Sequence, residues 1–224
     1  MADRSAIEWT EATWNPVTGC DRVSAGCDHC YAMTLATLHP RALDEPMRWR
    51  TPRVVFVNSM GDLFHARVPL DFIRDVFDVC RATPHHTYQV LTKRSLRLRR
   101  VADKLDWPSN LWMGVSVENA AALPRVDHLR EVPAAVRFLS CEPLLGPLDG
   151  IELSGIGWVI AGGESGPRHR PMQLSWAQGI RNACQDAEVP FFFKQWGGFR
   201  PKSGGRELDG REWSEWPAAK RMVG

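Results

Sequence analysis

An α/β fold, a TIM-barrel-like partial (β/α) barrel of about six to seven parallel strands, is what this chain predicts on three observations. Short runs rich in Val, Ile and Phe alternate with helical patterns. The strand runs are almost continuously apolar, as strands covered on both faces are. The units are too few to close a ring of eight. A doubly wound open sheet is the runner-up, because periodicity does not show whether a sheet curls.

The elements follow in order. A short extended lead-in covers Trp14 to Thr18, and strands are expected at Val54–Asn58, Tyr88–Thr92, Leu111–Val117, Val136–Cys141, Trp158–Gly162 and Phe191–Lys194. Helices are expected near Leu70–Ala82, Ser95–Leu105, Ala120–Arg130 and Leu174–Ala187, several of them preceded by the Pro, Asp, Ser or Asn that starts a helix. In the first, Ile73, Val76, Phe77 and Cys80 recur at helical spacing, so that Cys80 belongs to the apolar face. Cys184 does the same with Trp176, Ile180 and Ala187. Residues 1–198 form the expected barrel and 199–224, rich in Gly, Arg and Trp, an irregular tail packing on it.

With 224 residues, 44% of them hydrophobic, the chain can bury a sizeable core as one domain. The net charge of +2 selects no anionic partner. No stretch is long and apolar enough to span a membrane, and MADRSAIEWTEATW lacks the apolar run of a secretory signal. A cytoplasmic protein without a membrane partner is expected, and in a reducing compartment six cysteines are not a disulfide framework.

Three of the cysteines, Cys20, Cys27 and Cys30, crowd into GCDRVSAGCDHCYA. Thiolates at such spacing hold soft metals, and three of them leave one coordination position open. The residues themselves permit an iron-sulfur cluster with one free iron, a zinc site, or unligated thiols. Zinc wants a fourth ligand, for which His29 is poorly placed and His39 stands alone.

This segment resembles the cluster-binding loop of the radical S-adenosylmethionine (radical SAM) superfamily, in which three cysteines follow the first barrel strand. With IEWTEATWNPVTGC, GCDHCYA, PFFFKQWG and LDGREWSEWP, the chain more closely resembles a phage-type family placed beside it. The first cysteine spacing is three residues longer than the superfamily's usual one, and His29 stands where an aromatic is common. The resemblance implies a partial barrel, a 4Fe-4S cluster on Cys20, Cys27 and Cys30, bound S-adenosylmethionine, and an electron donor such as flavodoxin or ferredoxin. It also implies that the segment after the second strand, Met60-Gly61-Asp62, holds the cofactor's amino group, with Asp62 as the carboxylate.

The strand ends carry a second, independent signal, because ligand sites in parallel α/β folds lie at the carboxyl ends of strands. Here these ends read Asn58-Ser59-Met60-Gly61-Asp62, Thr92-Lys93-Arg94, Ser116-Val117-Glu118, Ser140-Cys141-Glu142, Gly162-Gly163-Glu164 and Lys194-Gln195. Helix capping alone explains Asp62 or Asn119, but not Lys93, Lys194 and three glutamates. Ser59, Asp62, Ser116, Glu118, Glu142 and Glu164 are therefore candidate cofactor ligands, with Ser116 and Glu118 placed for a ribose hydroxyl pair. Lys93 and Cys141 are candidate catalytic residues, Cys141 as a hydrogen-atom donor at a strand end, with simple packing as its bland alternative. The turn AGGESGP lacks the Lys and Ser/Thr of a phosphate loop.

The expected function is a radical SAM-like enzyme acting on a substrate the sequence does not identify. A nucleic-acid-binding or regulatory module without turnover is the second reading, and a zinc-stabilised structural protein the third. Nucleic acid enters as a partner because Lys93, Arg94, Arg168 and Arg170, with Arg97, Arg100 and Lys104 on one helix face, could track a phosphate backbone while some of the ten Trp residues stack on bases.

Overall fold

Seven apolar segments pair, all in parallel, into one sheet that curls as a half-barrel. The computed structural model describes Ser5 and residues 7–218. Its strands are β1 (Ala12–Trp14), β2 (Val17–Cys20), β3 (Thr34–Leu38), β4 (Val54–Val57), β5 (Thr87–Thr92), β6 (Leu111–Ser116), β7 (Val136–Cys141), β8 (Trp158–Gly162), β9 (Phe191–Gln195), β10 (Glu207–Leu208) and β11 (Arg211–Glu212). The large sheet has the order β1-β4-β5-β6-β7-β8-β9, every neighbouring pair parallel. Helices α1 (Leu70–Ala82), α2 (Ser95–Val101), α3 (Pro124–Arg130) and α4 (Leu174–Asp186) join β4 to β5, β5 to β6, β6 to β7 and β8 to β9, whereas β1 reaches β4 through the β2–β3 hairpin and β7 reaches β8 across 142–157 without an α-helix.

Strand alternation divides the core in two. Val55, Val57, Val90, Met113, Leu139 and Val159 pack with Ile73 and Phe77 of α1, Leu98 of α2, Leu129 of α3 and Ile180 of α4. The intervening residues Phe56, Trp112, Phe138, Trp158, Ile160 and Phe192 fill the other face. Trp158 is the hub of this second cluster, with ring centroids 5.9–6.5 Å from Phe138, Trp112, Phe192 and Trp9, and 4.7 Å from the stacked Trp216. Helices on one face and an aromatic plug on the other make a half-barrel, not a doubly wound sheet. Cys80 and Cys184 are fully buried among the helix-facing residues as expected, and burial pushes the Cys184 thiol up to about 12.

Other differences from expectation have local causes. The lead-in straddles Pro16, whose missing N–H ends β1, and the chain re-enters as the β2–β3 hairpin. Helix 95–105 and helix 120–130 each contain a 3-10 turn, at Ala102–Lys104 and Ala120–Ala122, the latter capped by Asn119, whose Oδ1 accepts from Ala121 N at 3.1 Å. The tail is partly regular. Asp209-Gly210 turns β10 into β11, and Phe193 N donates to Trp213 O, so that the tail runs beside β9 and covers the sheet edge. No helix among the described residues is long and apolar enough to cross a membrane.

Gly114 in β6 leaves the space that the Phe138 ring occupies, since a Cβ there would fall 2.5 Å from the ring. Gly114→Ala is expected to destabilise the fold by about 1–3 kcal/mol through overpacking. Urea denaturation checks it, and Phe138→Leu added to the same chain should recover part of the loss.

Candidate active site at the mouth of the half-barrel

The carboxyl ends of the strands form one mouth, and the cysteine segment lies across it. Gly19 in β2 has φ +82, and a Cβ there would lie 2.2 Å from Leu35 O, so that glycine alone lets β2 and β3 close. Asn58, in the left-handed region with φ 61, ends β4 and accepts from Val17 N at 3.0 Å. Asn15 Oδ1 accepts from Met60 N at 3.0 Å and Ser59 Oγ at 3.2 Å. Cys20 therefore emerges beside the end of β4, and residues 21–33 carry Cys27 and Cys30 back towards β3.

Three charged groups at strand ends hold that loop. Glu118, 1% exposed beyond β6, accepts from Ser24 Oγ at 2.6 Å through Oε1 and from Arg125 Nη1 at 2.8 Å through Oε2, with Lys93 Nζ 3.5 Å away. A Cβ on Gly26 would strike Glu118 Oε1 at 2.5 Å, so the loop backbone rests directly on this carboxylate. Beyond β5, Arg94 donates to Cys20 Sγ at 3.2 Å, to Asp62 Oδ2 at 3.2 Å and to Asp21. Beyond β8, Glu164 takes Arg170 on both oxygens and His29 Nδ1 at 3.3 Å, while Arg170 reaches Ala25 O at 3.0 Å and Asp28 Oδ2 at 3.3 Å. Burial opposes the Glu164 charge, but the Arg170 hydrogen bonds prevail and bring its pKa down to about 2.

Beneath the loop lies a cavity of about 470 Å³ lined by Cys20, Cys27 and Cys30 together with Ser59, Asp62, Lys93, Ser116, Glu142, Glu164 and Lys194. Among the described residues no three His, Cys, Asp or Glu side chains close on a single ion. Three separate thiols on one cavity are a donor set suited to a cluster, in which each thiolate takes a different iron. Burial raises the Cys20 pKa, and Arg94 opposes it by favouring the thiolate. His39, the candidate fourth zinc ligand, is bonded to Thr18 Oγ1 at 2.7 Å instead.

Several sequence-predicted roles are corrected. Cys141 faces the helices among buried apolar residues, because strand alternation sends Ser140 and Glu142 to the cavity and the residue between them away. It packs, and has no access to a reacting group. Glu118 does not line the cavity, and its oxygens are committed to the loop. Asp62 does line it, yet its carboxylate accepts from Phe64 N, Thr92 Oγ1, Lys93 N and Arg94 Nη1, which saturates it as the anchor of Arg94 rather than as a receptor for an amino group. Glu164 is similarly spent on Arg170. Arg94 and Arg170 are thus loop anchors, and Arg97 donates to the carbonyls of Phe64, His65 and Val68, so that none of the three is a free phosphate contact. The tail supplies Pro201 and Lys202 to the cavity wall, and the amino-terminal segment supplies Glu8 and Trp9. Sequence reasoning missed these four, which precede β1 or follow β9, the first and last strands in the sequence order of the large sheet.

A family model described as a protein of unknown function, DUF5131, matches residues 4–217. No curated protein matches the chain. Among solved structures, a cysteine-to-serine mutant of spore photoproduct lyase matches with TM-score 0.50 and 12% identity over 85% of this chain and 57% of that one. A double mutant of the same lyase, with bound AdoMet and dinucleoside spore photoproduct, gives 0.48 and 10% identity over 67% and 55%. The chain spans little more than half the length of these structures, and the likeness is one of fold.

Two outcomes follow from the loop anchors. Glu118→Ala leaves the Arg125 guanidinium without its buried partner, at an expected cost of about 3–5 kcal/mol, and should expose residues 21–33 to limited proteolysis before the barrel is cut. A variant with wild-type stability and cleavage pattern would show that the loop is held otherwise. Glu164 is depressed from 4.5 to about 2, so its stabilisation is complete above the unfolded value and is lost as pH falls from 4.5 through about 2. The stability difference between wild type and Glu164→Gln, followed by urea midpoints, should therefore shrink over that interval.

Proposed function

Because the chain belongs to the DUF5131 family, whose model spans nearly all of it, we propose a function from its site: an iron-sulfur protein resembling radical SAM enzymes and acting on a small or polymeric substrate at the barrel mouth. The observation that carries this reading is that Cys20, Cys27 and Cys30 line one cavity at the carboxyl ends of a parallel half-barrel. The three thiolates would hold a 4Fe-4S cluster. A cluster held there beside S-adenosylmethionine would make one-electron reductive cleavage of that cofactor available, the electron coming from a donor such as flavodoxin or ferredoxin.

The chain's own residues would do the rest by positioning and by excluding water. Arg94 orients Cys20 through its hydrogen bond to Sγ, and Asp62 fixes Arg94 in turn. Ser59 and Ser116 line the cavity and offer hydroxyls to polar groups of a bound cofactor. Lys93 lines the cavity with its Nζ 3.5 Å from Glu118 Oε1, and is the cation it would offer to a cofactor carboxylate. The loop covers the mouth from one side and Pro201 and Lys202 from another.

Anaerobic reconstitution followed by iron, sulfide and zinc analysis tests this directly. The wild type should hold a cluster, Cys20→Ala, Cys27→Ala and Cys30→Ala should each abolish it, and 5′-deoxyadenosine should form on reduction with S-adenosylmethionine. Stoichiometric zinc without sulfide would overturn the reading.

A further inference from the structure

Of eight buried side-chain polar atoms without a hydrogen-bond partner among the described residues, four belong to residues lining the cavity: Glu8 Oε1, Trp9 Nε1, Asn58 Nδ2 and Glu142 Oε1. Such an atom is costly if nothing meets it. Trp9 and Asn58 are only 2% and 3% exposed, so solvent does not meet theirs freely. The loop anchors leave no comparable gap, since the carboxylates of Asp62, Glu118 and Glu164 are all satisfied by the protein. The unmet hydrogen bonds lie at strand ends and segments that the anchors do not use.

Charge narrows what could meet them. Lys194 Nζ donates to Glu142 Oε2 at 2.9 Å, and Lys202 Nζ faces Glu8 Oε1 at 3.2 Å without hydrogen-bond alignment. Burial disfavours the Lys194 charge, yet Glu142 outweighs it and keeps its pKa above the ordinary value. Each of these two lysines is balanced by its own glutamate, so that this pair of pairs carries no surplus positive charge for a phosphate or a dicarboxylate. The arrangement instead sets an N–H donor beside a buried, unpartnered carboxylate oxygen, with the neutral and likewise unpartnered indole N–H of Trp9 as a further donor and the rings of Trp9 and Phe56 as apolar wall.

We infer that this part of the cavity binds a keto-form nucleobase, a flat heterocycle with a ring N–H next to a carbonyl, as the substrate. The inference rests on the enzyme reading above and names its substrate class. The ring N–H would donate to Glu142 Oε1, the neighbouring carbonyl would accept from Lys194, and a second ring acceptor would take the Trp9 indole. Adenine and cytosine place an amino group where Lys194 donates, and so present donor to donor.

Calorimetry on the cluster-loaded wild type, with thymidine, guanosine, cytidine and adenosine as probes, tests this. Thymidine or guanosine should bind about tenfold tighter than cytidine and adenosine, and Trp9→Phe, which keeps a ring, and Glu142→Gln should each weaken that binding about tenfold. A single-stranded oligonucleotide carrying the base identifies the source. Tighter binding than the nucleoside assigns the base to a strand, equal binding to a free nucleoside, and either supports the site. Equal affinity for keto and amino bases, or unchanged affinity in both variants, overturns it. S-adenosylmethionine binding without any nucleoside overturns this inference alone, whereas nucleoside binding without S-adenosylmethionine overturns the enzyme reading and leaves the base site standing.

Discussion

Buried charge holds the cysteine loop in place, and the candidate site depends on it. Residues 21–33 bury little apolar surface of their own. Cys27 and Ala32 are buried, while Val23, Tyr31 and Met33 are exposed. A segment with so few buried apolar contacts sits at the low-stability end of a fold unless something else fixes it. Here Glu118, Arg94 and Glu164 with its partner Arg170, at the ends of three strands, supply charge-assisted hydrogen bonds to the loop backbone and side chains. Because a buried ion is costly without its partner, each anchor is as sensitive to its own partners, Arg125, Asp62 and Arg170, as to the loop.

The same strands serve two purposes along their length. Near their middles the inward residues are aromatic and plug the half-barrel around Trp158, while at their carboxyl ends they become Lys93, Ser116, Ser140, Glu142 and Lys194. The plug gives the mouth a rigid floor, which lets polar groups stay buried in fixed geometry instead of collapsing on one another. The half-barrel remains open at its edges, and the tail answers part of that cost by pairing beside β9, stacking Trp216 on Trp158, and bringing Lys202 to the cavity.

The carboxylates at the strand ends show how one residue type divides between structure and chemistry. Asp62, Glu118 and Glu164 have every oxygen engaged by the protein, whereas Glu142 keeps one buried oxygen unmet beside Lys194. Sequence position does not separate these cases, since all four stand at comparable places after apolar strands. What separates them is the number of donors that the fold brings within reach of each.

The sequence by itself determined the parallel strands, the four helices, the burial of Cys80 and Cys184, and the grouping of the three N-terminal cysteines, because hydrophobic periodicity and local spacing are encoded over short stretches of chain. Only the tertiary structure decided that the sheet curls, that Cys141 turns away from the mouth, and that Arg94 and Arg170 spend their charge on the loop. It alone brought Glu8, Trp9 and Lys202 to one cavity with Glu142. Those outcomes depend on pairs far apart in sequence, such as Ser24 with Glu118 and Ala25 with Arg170. A long-range partner is chosen by which donors and acceptors remain unsatisfied once the core has packed, and no local pattern carries that information.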